Sequence, residues 1–384
     1  MTVTLNSKSG KTEQLNIKSI ALHSVRVPLI EPFRISNGEV AEKDAILVEV
    51  TTQDGVVGWG EASPMNGTFY SGDTPESVWS SLTSSLIPAL LSSPQVDVPL
   101  FYKSLRDVPC DPFAKAGVEG ALWDTQARTH GVPLYELFGG HGRPVSSGVA
   151  IGIYDTVEEL LQRVERYTAQ GYQRVKIKIA PGWDIQPVAA VRARFPNLPL
   201  MVDANAAYSI EDLPVFRELD AFGLMMIEQP LARDAHTDAG ELQRQLRTPL
   251  CADESAESIE TLGSLIENGA ARIVNIKIQR VGGLSEALLM LAAARVAGLE
   301  CWVGTMPELG VASTLGLHLA TLDGFTYPTD IEASTRWYMD DLITPGLEID
   351  TNGYIHLPSG PGTGYSVIRE KVERYTHTTA TLKN

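Results

Sequence analysis

The 384-residue sequence predicts an α/β protein in which a strand–helix barrel follows an N-terminal α+β module. Three observations carry that expectation. From Val145 onward, short apolar runs alternate with helical patterns. Three of those runs end in an acid, Asp203, Glu228 and Asp253, at equal steps of 25 residues. Before about Gly140 that rhythm is absent.

The first module reads as strands at Ile17–Val27, Asp44–Thr51 and Val56–Glu61, with Asp54–Gly55 turning the last two into a hairpin. The stretch Pro28–Val40, which carries Pro32, Phe33, Arg34 and Ser36, reads as a loop. Thr74–Leu91 and Phe113–His130 read as helices, the second stopped by Gly131–Val132–Pro133. Then the alternation begins. Strands are expected at Ser147–Tyr154, Arg174–Ile179, Leu198–Asp203, Leu224–Glu228, Thr248–Asp253, Ile273–Lys277 and Leu299–Gly304. Helices between them start with capping signals, Thr156 with Glu159 and Ser209 with Asp212. An open doubly wound sheet would gather functional residues at one switch point. Here charged residues end every strand from the second to the sixth, which suits the mouth of a closed barrel.

The net charge of −16 repels phosphate backbones, so a nucleic-acid partner is not expected. Three widely spaced cysteines, Cys110, Cys251 and Cys301, with no CxxC argue against a disulfide framework. Met1–Gln14 lacks the apolar core of a signal peptide, and no apolar run reaches membrane-spanning length. A cytoplasmic protein with no membrane partner is expected.

Asp203, Glu228 and Asp253 offer three hard oxygen donors with no thiol or imidazole at ligand spacing. That set suits Mg²⁺ or Mn²⁺ and argues against zinc. Any one acid alone would more often be a helix N-cap; three at one spacing point to a metal. Lys176 and Lys178 share one face of the second strand, and Lys277 ends the sixth, across the barrel. A neighbouring ammonium and a metal push at least one lysine pKa downward, toward a general base. Two bases flanking one carbon suit a racemase; one base with an electrostatic partner suits an elimination or cycloisomerisation. Asn205 is placed to orient the metal shell, Glu254 to partner a lysine, and Glu308 to reach the mouth. Turn or capping roles are the plainer alternatives for Asn205 and Glu254. His318 and His356 lack companions and read as structural or surface residues.

The motifs Lys176-Ile-Lys178, Asp203-Ala-Asn205, Ile227-Glu-Gln-Pro230, Asp253-Glu-Ser255 and Asn275-Ile-Lys277 together resemble the enolase superfamily, muconate-lactonising-enzyme subgroup. Ala121-Leu-Trp-Asp124 and Leu137-Phe-Gly-Gly140 add to the likeness, which spans nearly the whole chain. The resemblance implies a modified TIM barrel, (β/α)7β, over 145–344, and an N-terminal α+β capping domain over 1–144. The segment 345–384 would pack back on that domain. It implies Mg²⁺ on Asp203, Glu228 and Asp253, with Lys178 and Lys277 as the acid–base pair. The reaction would be loss of the proton α to a substrate carboxylate through a metal-stabilised enolate. Loops near Phe33, Arg34, Ser36 and Tyr70 would cover the mouth and choose a small carboxylate substrate.

Pro32-Phe-Arg34, Pro181-Gly-Trp-Asp184 and Asp330-Ile-Glu-Ala-Ser334 resemble o-succinylbenzoate synthases and N-acylamino acid racemases most closely. Val311-Ala-Ser-Thr314 departs from those families, and Gly304-Thr-Met306 is more like the cycloisomerases. Muconate-type cycloisomerase and dipeptide epimerase are therefore the alternatives. Dipeptide epimerases usually hold a substrate amine with an acidic pair, for which Glu308, Asp330 and Glu332 are candidates. A non-catalytic binding barrel would lack ligands or bases, and all five are present. Members of the family are often homo-oligomers.

Overall fold

Two long antiparallel strands, Leu15–Ile35 and Gly38–Thr52, dominate the N-terminal sheet of the computed structural model. The structure describes residues 14–36, 38–67, 71–105 and 108–383. The sheet has five strands; Val57–Ala62 flanks one side of the long pair, and the C-terminal strand Thr376–Lys383 the other. Pro28–Val40, expected as a loop, is instead the far end of the long ribbon. Phe33 pairs with Val40, and Ile35 with Gly38. Pro28 and Pro32 cannot donate to the ladder, and the register slips between Pro28 and Phe33. Alternation then buries Phe33, Ile35 and Val40 on one face. The helix expected over Thr74–Leu91 is α-helical at Pro75–Ser81 and Ile87–Ser92, with a wider π turn between, at Leu82–Leu86.

Helix Pro112–His130 is buried on nearly every side because it lies between the sheet and the barrel. On the sheet side, glycines permit the contact. A Cβ at Gly60 would lie 2.1 Å from Gly117 O. Gly60→Ala is therefore expected to cost about 1–3 kcal/mol, seen as a lower urea midpoint. On the barrel side, Glu119 accepts from Ser285 N at 3.1 Å.

Seven parallel strands lie in chain order around the second sheet. They are Val149–Ile151, Val175–Lys178, Leu200–Asp203, Ile227–Glu228, Leu250–Ala252, Ile273–Ile276 and Glu300–Val303. The segment 325–330 closes the circle without forming a regular ladder. It bridges to the seventh strand at Cys301–Phe325 and meets the first-strand side at Ser147–Thr329. Arg174 staples that seam, donating to Pro328 O at 3.0 Å, Thr329 O at 3.1 Å and Asp330 Oδ1 at 2.8 Å.

Helices cover the outside. Their starts follow local chemistry: Thr156 Oγ1 accepts from Glu159 N at 3.2 Å, and Ser258 forms a reciprocal box with Thr261. The barrel floor is packed by Met201, Met226, Cys251, Ile273 and Trp302. Cys251 sits there as a small buried hydrophobe beneath Trp302. Among the described residues no helix is long and apolar enough to cross a membrane.

His318, on helix Gly310–Ala320, ties the barrel to the segments before and after it. Its Nδ1 accepts from Tyr135 N at 3.1 Å, and its Nε2 lies 3.0 Å from Thr363 O. Burial pushes its pKa down to about 4. The unfolded chain therefore takes up this proton first, and the resulting stability, full above about pH 6.5, is lost as pH falls toward 4. The shift corresponds to about 3 kcal/mol. His318→Gln, which keeps a donor and an acceptor, is expected to flatten this part of the acid response in urea unfolding at pH 7 and pH 5.

Candidate active site

Strand–helix units of equal length bring their strand ends to one mouth. In register, Lys178 lies beside Asp203, and Asp203 beside Glu228. Asp253 follows the fifth strand directly, and Lys277 follows the sixth. One oxygen from each of Asp203, Glu228 and Asp253 lies within 4.8 Å of the others, and all three residues are buried. That separation and an all-carboxylate donor set fit a hard divalent cation. The expected ligands are thus brought together.

The two lysines flank the acids from opposite ends. Lys178 Nζ donates to Asp203 Oδ2 at 2.6 Å, and Lys277 Nζ to Asp253 Oδ2 at 2.9 Å. Glu228, between them, is held on both oxygens. Asn275 Nδ2 donates to Oε1 at 2.7 Å and Lys176 Nζ to Oε2 at 3.1 Å. Lys176 also donates to Asp330 Oδ2 at 2.5 Å and stands over the Trp302 ring, 5.1 Å from its centre. Arg280 pairs with the remaining oxygen of Asp253.

Burial pushes the Glu228 carboxyl up to about 8, and the Asp203 charge adds to it. A divalent cation would relieve this crowding. Burial alone would also raise Asp253, but Arg280 and Lys277 hold it well below the usual carboxylate range. For Lys176 the shift runs upward, not toward a base. Burial would lower it, yet Asp330, Glu228 and Asp203 together raise it well above the usual amine value. The three carboxylates around Lys176 thus favour its charged form.

The loops after the third and fourth strands hold strained backbone that aims the acids. Asn205, Ala206 and Gln229 have φ of 42°, 60° and 36°. Hydrogen bonds fix them there. Asn205 N donates to Asp203 Oδ1 at 3.0 Å, and Asn205 Nδ2 to Glu254 Oε1 at 3.1 Å. Gln229 Oε1 accepts from Asp253 N at 3.0 Å and Ser255 N at 3.1 Å, while its Nε2 donates to Leu231 O at 2.8 Å. Asn205 thus braces Asp203 through its backbone amide, and Glu254 bonds Asn205 while lying within the field of Lys277.

Above the acids, a cavity is walled by Phe33, Ile35, Val40 and Met65 of the sheet module and by Ala150, Thr305, Pro307 and Trp337 of the barrel. Lys176, Lys178, Lys277, Asp330 and Glu332 complete it. Phe33 meets Trp337 edge to face at 4.9 Å. Arg34 and Ser36 lie outside this lining. Arg34 turns outward to Asp155 at 3.0 Å, and Ser36 Oγ reaches Ala204 O at 3.5 Å. Glu308 is buried behind Pro307, its Oε1 accepting from Met306 N at 3.1 Å. Tyr70 lies outside the described residues.

A model of the mandelate racemase/muconate lactonizing enzyme N-terminal domain matches residues 17–139, and an enolase C-terminal domain-like model matches residues 159–371. The chain belongs to the enolase superfamily. An o-succinylbenzoate synthase of Geobacillus kaustophilus is 43% identical over 376 residues, covering 96% of this chain and 99% of that one. An N-succinylamino acid racemase of an Amycolatopsis species is 37% identical, covering 94% and 98%. A crystal structure of an enolase-superfamily member from Listeria innocua superposes with a TM-score of 0.92 at 35% identity, covering 96% and 99%.

Within this enolase-superfamily site, the buried Arg280 and Met65 and the half-buried Trp337 escaped the sequence reading, and Asn275 was read only as part of a motif. Arg280 and Asn275 flank Lys277 by three and two positions, a spacing that a search around each strand end would have found. Met65 and Trp337 follow no period, since they reach the cavity from opposite ends of the chain.

Proposed function

We propose that the protein forms o-succinylbenzoate and racemises N-succinylamino acids, using Mg²⁺ or Mn²⁺ on Asp203, Glu228 and Asp253. The observation that carries the reading is the placement of Lys178 and Lys277 at opposite ends of the triad, 2.6 Å from Asp203 and 2.9 Å from Asp253. The cation supplies positive charge beside the substrate carboxylate, where negative charge grows as the α-proton leaves. One lysine, as the free amine, takes the α-proton from one face. The other, as ammonium, delivers a proton to the opposite face, which inverts the centre. In the dehydration, a protonated lysine donates to the hydroxyl that departs as water. Lys176 holds Glu228 in place.

The cavity favours an acyl substrate over a dipeptide. A dipeptide amine needs free carboxylates, and the two that line the cavity, Asp330 and Glu332, already face cationic side chains. Asp330 is bonded by Lys176 and Arg174, at 2.5 and 2.8 Å. Glu332 accepts from Ala150 N at 2.7 Å and pairs with Arg336 at 3.3 Å. The walls facing the distal substrate are Phe33, Ile35, Val40 and Met65, which suit the methylenes of a succinyl chain or a carbocyclic ring.

The test is incubation in D₂O with Mg²⁺ and a panel of N-succinylamino acids, together with the dehydratable precursor of o-succinylbenzoate. Deuterium is expected at the α-carbon, and aromatic product from the precursor. Absence of both rejects the proposed substrates; activity on dipeptides alone would favour the epimerase.

A further inference from the structure

A buried polar cluster crosses from the sheet module to the barrel beside the cavity but outside the reacting groups. Lys43 Nζ donates to Ser63 O at 2.9 Å and Pro64 O at 2.8 Å. The Glu61 carboxylate accepts from Leu309 N at 2.9 Å and Ala312 N at 2.8 Å. These amides begin helix Gly310–Ala320, whose own N-cap, Leu309, has no side chain that can accept. Glu61 thus caps a barrel helix from another module, where a carboxylate is favoured by the unsatisfied amides and the helix dipole. Gln279 closes the cluster: its Oε1 accepts from Ser63 N at 3.0 Å, and its Nε2 donates to Glu61 O at 2.8 Å.

Lys43, Glu61, Ser63 and Gln279 are each at most 2% exposed. Charges so deeply buried are costly unless paired, and a junction needing only adhesion would be served better by apolar packing. What the polar bonds add is fixed geometry. Every leg of the cluster is also close in sequence to a cavity residue. Lys43 is three residues from Val40, Pro64 precedes Met65, Gln279 is two from Lys277, and Leu309 is two from Pro307.

We propose that Glu61 forms a latch that seats the sheet module on the barrel, with Lys43 holding the Ser63–Pro64 backbone beside it, and so sets affinity for the part of the substrate away from the reacting carbon. The substrate part of this inference rests on the reaction proposed above. Both are positioning residues, acting through Met65, Val40 and Pro307.

Glu61→Gln keeps the shape but removes the charge and one acceptor oxygen. It is expected to raise KM at least about 10-fold with kcat within about 3-fold. It is also expected to speed amide hydrogen exchange at Leu309 and Ala312 by about 10-fold or more. Lys43→Met frees the Ser63–Met65 stretch instead, raising KM while leaving exchange at Leu309 and Ala312 unchanged. Glu61→Asp carries the KM measurement if Glu61→Gln does not fold. Unchanged KM in the variants, or a fall in kcat at constant KM, overturns the proposal. Wild-type protein inactive on both substrates rejects the reaction and not the latch. The latch then stands or falls on exchange alone, and unchanged rates at Leu309 and Ala312 in Glu61→Gln overturn it.

Discussion

Lys178→Ala and Lys277→Ala are each expected to lower the racemisation kcat by about 10²- to 10⁴-fold, the range of a lost general acid–base group. More telling is what each variant keeps. A racemase with one lysine left can still remove the α-proton on that lysine's side. Each variant should therefore exchange the α-proton of one enantiomer with D₂O, and the two variants should choose opposite enantiomers. This follows from the proposed roles of the two lysines, which are anchored on Asp203 and Asp253 at the two ends of the triad. Exchange followed by NMR on each pure enantiomer is the measurement. If both variants lose exchange with the same enantiomer, the two lysines do not serve opposite faces. Circular dichroism separates loss of chemistry from loss of fold.

Chelation is expected to abolish turnover, and added Mg²⁺ to restore it. Asp203→Asn is expected to weaken metal binding by at least about 100-fold, since even outer-shell changes cost 10- to 100-fold. The site offers only carboxylates, so losing one removes a third of its ligand charge. The same change leaves Lys178 without its anionic partner, and activity should not return fully even at saturating metal. Calorimetric titration of Mg²⁺ into both proteins gives the affinity ratio directly. Equal affinities would place the cation elsewhere.

The barrel and its five charged strand ends were legible in the sequence because they repeat. A repeat length near 25 residues is a local quantity, and each unit carries its own capping and stop signals. The sheet ribbon was half legible: Pro28–Val40 read as a loop, whereas its prolines only interrupt hydrogen bonds along a hairpin stabilised by burial of Phe33, Ile35 and Val40. Groups defined by distant contacts left no local signal. Glu61 meets residues 248 and 251 positions away, and its neighbours read simply as the end of a strand. Likewise, the sequence left Glu308, Asp330 and Glu332 open as partners of a substrate amine, because the cations that face Asp330 and Glu332, from Arg174, Lys176 and Arg336, are set by the fold.

The seam at 325–330 has a consequence for how such a protein can change. This segment touches its neighbours through scattered bridges and through Asp330, which Arg174 and Lys176 hold, not through a continuous ladder, so its course can vary wherever Asp330 keeps its place. The residues that follow it, Glu332 and Trp337, form part of the cavity wall. Residues such as Trp337 that face the substrate side thus sit on a part joined to the proton-transfer strands chiefly at one charged point, Asp330. A lineage could acquire a new substrate by altering the loosely joined part while the proton-transfer machinery stays in place.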